Sequence, residues 1–231
     1  MSIPDQAELK RLAAEKAVEA VEDGMVLGLG TGSTAALAVE AIGRRVQQGL
    51  RVVAIPTSEA TAAQSRRLGI PLVDFAAHTM VDLTIDGADA VERRRLDLIK
   101  GLGGALLREK IVAAASKRMI VIVDDSKLAG VFGTRCPVPV ETAQFGWQAT
   151  QRRLEKLGCA ARLRRRTDGA PLITDGGNYV IDCNFGAIAD PAALEARIKQ
   201  LVGVVENGLF IGLATEVIVA GAGGIEVLLA G

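Results

Sequence analysis

The chain has 231 residues, enough for one large domain or two modest ones, each with its own core. Lys plus Arg and Asp plus Glu number 27 each, so the broad basic surface that nucleic acid demands is excluded. Apolar residues make up 49% and aromatic ones only 3%, which predicts aliphatic cores.

The N-terminal stretch "MSIPDQAELKRLAAEKAVEAV" sets Leu9, Leu12, Ala13, Ala17, Ala20 and Val21 at helical spacing, with Gly24 as a stop. It is charged throughout and lacks the apolar segment of a signal peptide. "MVLGLG" predicts a buried strand, followed by a glycine turn and a helix through Leu37 and Ile42. "RVVAI" is the next strand, and "TSEAT" caps a helix that ends at Gly69. "VDLTID" and "RMIVIVD" are further apolar strands, with the hairpin "RRRLDLIK" and a helix in "IKGLGGALLREKIVAAAS" between them. Strands alternating with helices predict a parallel sheet covered on both faces.

The texture changes after Phe132. "CPVPVE" reads as a strand, Thr142 to Leu157 as a helix stopped by Gly158, and "ARLRRR" and "NYVIDCNF" as strands. "DPAALEARIKQL" is a helix with Asp190 as N-cap and Pro191 at its first position, and "VVENGLF" is a strand. That βαββαβ order matches a ferredoxin-like unit. "EVIVA" and "IEVLLA" read as strands that return to the first sheet. The expected fold is therefore α/β. A Rossmann-like parallel-sheet domain spans residues 1–132 and 211–231, and a smaller ferredoxin-like α+β domain, 133–210, is inserted before the C-terminal strands.

No apolar run reaches membrane-spanning length, because Glu216, Glu226 and glycines interrupt the C-terminal one. The three cysteines, Cys136, Cys159 and Cys183, are odd in number, widely spaced and without a CxxC pair. They are expected to be reduced thiols of a cytoplasmic protein rather than a disulfide framework or a metal site. His78 is the one histidine and falls in a loop between strands, so a general base is sought among the carboxylates. Arg93 to Arg95 and Arg162 to Arg166 read as solvated hairpin faces.

Four segments at strand ends carry the chemistry. "GLGTGSTA", Gly28 to Ala35, joins the first strand to its helix, where backbone amides and the hydroxyls of Thr31, Ser33 and Thr34 suit a phosphate. Ser33 stands where the dinucleotide fingerprint needs glycine, and no lysine completes a Walker loop. "DGAD", Asp86 to Asp89, follows a strand directly, and ligands of open parallel sheets sit beyond such ends. Lys100 and "GLGG" lead into a helix carrying Arg108, Glu109 and Lys110 in succession. Three consecutive charges cannot share one solvated side of an apolar helix, so at least one must point inward. Glu109 and Lys110 have equally apolar helical neighbours, and periodicity does not choose between them. A buried glutamate there would have raised basicity. "DDSK" adds Lys127 at the same sheet edge. A phosphate seat, a carboxylate base and cations together suit proton transfer beside a carbonyl in a small phosphorylated sugar.

These motifs in this order, "GLGTGSTA", "TSEAT", "DGAD", "KGLGGALLREK", "DDSK", "VPVE", "TDGGNY" and "GVVENGLF", resemble ribose-5-phosphate isomerase, type A, across almost the whole chain. The resemblance implies interconversion of D-ribose 5-phosphate and D-ribulose 5-phosphate through an enediolate, in the non-oxidative pentose phosphate pathway. It implies Glu109 as proton acceptor, with Asp86, Asp89 and Lys100 as further catalytic groups. It also implies substrate binding by Thr31, Gly32, Ser33, Thr34, Asp86, Gly87, Ala88, Asp89, Lys100, Gly101, Leu102, Gly103 and Lys127. In this reading Asp86 shuttles a hydroxyl proton and helps open the sugar ring, and Asp89 orients sugar hydroxyls. No metal and no organic cofactor are implied, no nucleic-acid or membrane partner, and a homodimer is expected. Leu102 stands where the family has glycine, and Ala90 where an acidic residue is usual. The alternative from another class is a non-catalytic sugar-phosphate sensor module, which would normally bring a DNA-reading helix-turn-helix and a basic face.

Overall fold

A computed structural model describes residues 5–230. The first four residues of the expected N-terminal helix lie outside that range. Helix α1 (Gln6–Val18) is capped by Asp5, whose side chain accepts from the Glu8 amide. It ends three residues short of Val21, where the chain tightens into i→i+3 bonds, Ala20 N to Ala17 O and Val21 N to Val18 O. Then come β1 (Val26–Leu29), α2 (Ser33–Gln47), β2 (Val53–Pro56), α3 (Glu59–Arg67) and β3 (Val81–Gly87). A hairpin of β4 (Ala90–Glu92) and β5 (Leu98–Ile99) leads to α4 (Leu106–Ala114), β6 (Ser116–Asp124) and the short β7 (Leu128–Ala129).

The second group of elements is β8 (Val138–Thr142), α5 (Trp147–Glu155), β9 (Ala160–Leu163), β10 (Tyr179–Asn184), α6 (Pro191–Lys199) and β11 (Val204–Asn207). The chain closes with β12 (Leu209–Phe210), β13 (Glu216–Gly221) and β14 (Gly224–Leu229).

Six strands form the main sheet in the order β14-β13-β6-β3-β1-β2, all parallel except the antiparallel edge β14. Its central strands are apolar on both sides, as a sheet covered on both faces requires. Ile120 and Ile122 of β6 pack under α1 and α2, while Met119, Val121 and Val123 enter a separate cluster with Phe210 on the other face. Strands β8 to β11 make a second, antiparallel sheet in the order β11-β8-β10-β9, the arrangement expected of a βαββαβ unit.

Two of the elements expected in the second half of the chain need correction. The helix anticipated from Thr142 begins at Trp147, because Thr142 stays in β8 opposite Tyr179 and Val204. "VVENGLF" is two strands, broken at Gly208. There the amide donates to Pro139 O, the carbonyl accepts from Lys100 N, and a Cβ would lie 2.2 Å from Lys100 O. Past that break β12 joins a third sheet, β12-β5-β4-β7, which the sequence did not announce. This sheet connects the other two, and Ala90 and Ile99 share a core with Val140, Ile181 and Leu209.

Candidate active site

The carboxyl ends of β1, β2, β3 and β6 open at one edge of the main sheet. After β1 the backbone passes so close to β3 that a Cβ on Gly30 would lie 2.1 Å from Asp86 Oδ1. Only glycine fits this crossing. The Thr31 amide donates to that same Oδ1 at 3.1 Å. The Thr31 hydroxyl turns the other way, into a cluster with Thr57, Ser58 and Thr61 at 2.7, 2.8 and 3.2 Å. Thr57 and Thr61 in turn bond the Leu29 and Gly30 carbonyls, so "TSEAT" braces the glycine loop besides capping α3. Gly32 is the N-cap of α2 and brings no side-chain cap, which leaves the amides of the first turn facing outward. Such amides form an anion seat. Lys10 of α1 reaches across to it, with Nζ 3.2 Å from Ser33 Oγ.

Asp86 ends β3 fully buried, accepting from the amides of Thr31 and Gly87. Asp89 starts the hairpin and accepts from the Leu102 amide at 2.9 Å. The hairpin delivers Lys100, whose Nζ donates to Gly87 O at 2.7 Å and lies 5.5 Å from the centre of the Phe210 ring. Gly101 then turns with φ +99°, and a Cβ there would lie 2.6 Å from Leu106 Cβ. Leu102 does not adopt a left-handed backbone, so replacing the family's glycine there needs no strained conformation. Ala90, in place of the usual acidic residue, is packed in an apolar core.

Helix α4 separates its three charges. Arg108 turns outward to Glu59 at 2.8 Å and Asp175 at 3.8 Å. Lys110 is buried towards the second sheet, 2.9 Å from Glu206 and 3.6 Å from Glu195. Burial pulls its pKa down, against the pairing with Glu206. Glu109 points to Lys100, with Oε2 3.3 Å from Nζ. Lys100 lies between two carboxyls, since Asp86 Oδ2 is 3.0 Å away on its other side.

Two buried carboxyls sharing one ammonium cannot both ionise without leaving a net charge in the interior. Burial opposes the charge on each, and Lys100 favours it. Asp86 has two backbone amides as well, whereas Glu109 has none. Asp86 is therefore the better supported of the two as an anion, while burial pushes the Glu109 carboxyl up to about 8 in spite of Lys100. Burial alone would lower Lys100, but the carboxylates of Asp86 and Glu109 hold it above its ordinary value.

A cleft over this edge is lined by Thr31, Gly32, Ser33, Thr34, Gly87, Ala88, Asp89, Lys100, Gly101, Gly103, Glu109 and Lys127. Two expected residues are elsewhere. Asp86 lies behind the cleft, fully covered, and touches it through Lys100 and the amides of Thr31 and Gly87. Leu102 turns its side chain out to solvent, and its amide is taken by Asp89. The sequence reading missed Lys10 and Ala35, which also line the cleft. Lys10 sits on the polar face of α1, and only the packing of α1 on α2 brings it here. The reading of Arg162 to Arg166 as a solvated face fails at Arg164, which bonds Asp182 and the carbonyls of Gly101 and Leu102.

Among the described residues, no group of three or more His, Cys, Asp or Glu is arranged to hold a metal. No helix among them is long and apolar enough to cross a membrane.

The model of the family "Ribose 5-phosphate isomerase A (phosphoriboisomerase A)" matches residues 53–224. The ribose-5-phosphate isomerase A of Gloeobacter violaceus is 62% identical over 220 residues, covering 95% of each chain. The solved ribose 5-phosphate isomerase A of Methanocaldococcus jannaschii superposes with a TM-score of 0.93 at 40% identity, over 97% of this chain and all of the other. A solved D-ribose-5-phosphate isomerase in complex with phospho-erythronic acid gives a TM-score of 0.95 at 36% identity, over 98% of this chain and all of that one.

Proposed function

The chain belongs to the ribose 5-phosphate isomerase A family, and from that premise we propose how its residues interconvert D-ribose 5-phosphate and D-ribulose 5-phosphate. One observation carries the reading: Glu109 is a buried carboxyl of raised basicity that lines the cleft beside the Lys100 ammonium.

The phosphate sits on the first turn of α2 and the hydroxyls of Ser33 and Thr34, with Lys10 and Lys127 as countercharges. This fixes the distance from the phosphate to the reacting end of the open-chain sugar. The Glu109 carboxylate takes the hydrogen from C2, the C–H electron pair forms the C1=C2 bond, and the carbonyl oxygen O1 takes up negative charge. Lys100 and the loop amide of Gly103 stabilise that oxyanion. Glu109 then returns the proton to C1 while the O2 proton passes to O1, giving the ketose with a C2 carbonyl and a C1 hydroxyl. A carboxyl pushed up to about 8 is a stronger base than an ordinary glutamate, and the fraction ionised at neutral pH is the form that takes the C2 proton. Asp86 acts through Lys100, which it keeps charged, and has no direct contact with the sugar. Asp89 holds the Leu102 amide with one oxygen and offers the other to the sugar hydroxyls.

The complex of a similar isomerase with phospho-erythronic acid supports a phosphorylated polyhydroxy acid as a mimic of the intermediate. We also propose that residues 133–210 form an inserted oligomerisation domain, that the chain is a homodimer and that it is cytoplasmic; sedimentation of the purified chain tests the dimer. The deciding assay is ketose formation from ribose 5-phosphate with EDTA present. Turnover that survives the chelator supports the route through Glu109. Turnover only on adding divalent ions rejects it, and binding without turnover would mark a sensor instead.

A further inference from the structure

The second sheet contributes to the cleft without lining it. Arg164, just past β9, has Nε 2.9 Å from Asp182 Oδ2, and its Nη2 pairs with Asp182 Oδ1. This two-point grip on a planar fork leaves Nη1 aimed in a fixed direction. Nη1 donates to the Gly101 carbonyl at 2.9 Å and the Leu102 carbonyl at 2.8 Å, the two successive carbonyls of the catalytic loop.

We propose that Arg164 is a positioning residue that aims the Gly103 amide at the oxyanion formed during isomerisation. The inference rests on the reading of the cleft as an isomerase site. In a trans peptide the carbonyl and the following N–H point in opposite directions, and no peptide bond here is cis. The first of the two peptides shows the rule at work. The Gly101 carbonyl faces Arg164, and the Leu102 amide points away from it to Asp89 Oδ2. The second peptide follows the same rule. The Leu102 carbonyl faces Arg164, so the Gly103 amide points away from it, towards the cleft that Gly103 lines. Among the described residues no protein acceptor takes that amide. Gly101, Gly103 and Gly104 surround the peptide, and glycines offer little resistance to its rotation. The Gly104 amide closes the turn on the Gly101 carbonyl at 3.0 Å, which fixes the ends of the turn, and it is Arg164 that takes the Leu102 carbonyl of the central peptide and so sets which way the Gly103 amide faces.

The test compares Arg164→Ala and Arg164→Lys with the parent chain. A lysine keeps the cation but cannot grip Asp182 and both carbonyls at once. We expect kcat to fall about 10- to 100-fold for Arg164→Ala, less than the roughly 100- to 1,000-fold of an oxyanion donor removed outright, because the amide is misdirected rather than lost. The KM for ribose 5-phosphate should stay within about threefold, because the phosphate seat is untouched, and Arg164→Lys should be intermediate. Inhibition by phospho-erythronic acid, whose carboxylate mimics the enediolate, should weaken in step with kcat, while inhibition by inorganic phosphate should not change. An unchanged kcat overturns the inference, as does a parallel weakening of both inhibitors, which would mean that the cleft as a whole has collapsed. If Arg164→Ala does not fold, Arg164→Lys decides on the same criteria. A parent chain without isomerase activity overturns the site reading and this inference together; an active parent with unaffected variants overturns the inference alone.

Discussion

The Nζ of Lys100 lies 3.3 Å from Oε2 of Glu109, a buried oxygen with no hydrogen-bond donor aimed at it among the described residues. Lys100 is thus what draws Glu109 towards ionisation against burial. Lys100→Met should lower turnover by about 100-fold or more. The rising limb of the kcat/KM pH profile should also move to higher pH, because the group that lowers the Glu109 pKa is gone. Urea unfolding should show a loss of about 3–5 kcal/mol, since Asp86 is left buried without its cation. A profile that stays in place would contradict the assignment.

Glu109 also links stability to pH. Burial pushes its folded pKa up to about 8, above the ordinary glutamate value of 4.5, so between those values the folded chain holds a proton that the unfolded chain releases. That contribution is complete below pH 4.5 and is lost as pH rises through 8. Glu109→Gln removes the dependence. The variant should therefore gain thermal stability relative to the parent as pH rises from acid to alkaline, by about 2–4 °C for each kcal/mol. A Tm difference independent of pH would contradict the raised pKa.

Lys10, with Nζ 3.2 Å from Ser33 Oγ, and Lys127 both line the cleft, and in the proposed site they are the countercharges of the phosphate. Lys10→Ala or Lys127→Ala should each raise KM about tenfold, the size of one lost charge-assisted bond. Their kcat should stay within a fewfold of the parent. Steady-state kinetics at low and high salt check this, and a loss confined to kcat would move these lysines out of the phosphate seat.

The glycines of the site differ sharply in what they tolerate. A Cβ at Gly30 would meet Asp86 Oδ1 at 2.1 Å, whereas one at Gly103 meets nothing within 4 Å. Gly30→Ala should cost about 1–3 kcal/mol in stability and disturb the buried carboxyl. Gly103→Ala should unfold like the parent. Equal denaturation midpoints for the two variants would refute the close approach of β1 and β3.

The main sheet was legible because its strands are short apolar runs between helical patterns, and the strand-end motifs fell where ligands of such sheets bind. Glycine spacing, the paired aspartates and the Arg108-Glu109-Lys110 triplet marked the site. What they left open was depth. Nothing in "DGAD" distinguishes the covered Asp86 from the cleft-lining Asp89; the difference arises when β1 closes over β3 at Gly30. Lys10 and Arg164 were invisible for another reason. Each belongs to a charged, exposed-looking run, and long-range packing alone carries one to Ser33 and the other to the loop after Lys100. The break at Gly208 is likewise set by a distant carbonyl, that of Lys100.

The most direct measurement follows solvent deuterium into carbon. Ribose 5-phosphate incubated with the parent chain in D2O should give product labelled at C1. Glu109→Gln, which keeps the shape and removes the base, should lose labelling and turnover together by about a thousandfold or more. A Glu109→Gln chain that still exchanges deuterium at the parental rate would show that another group moves the proton.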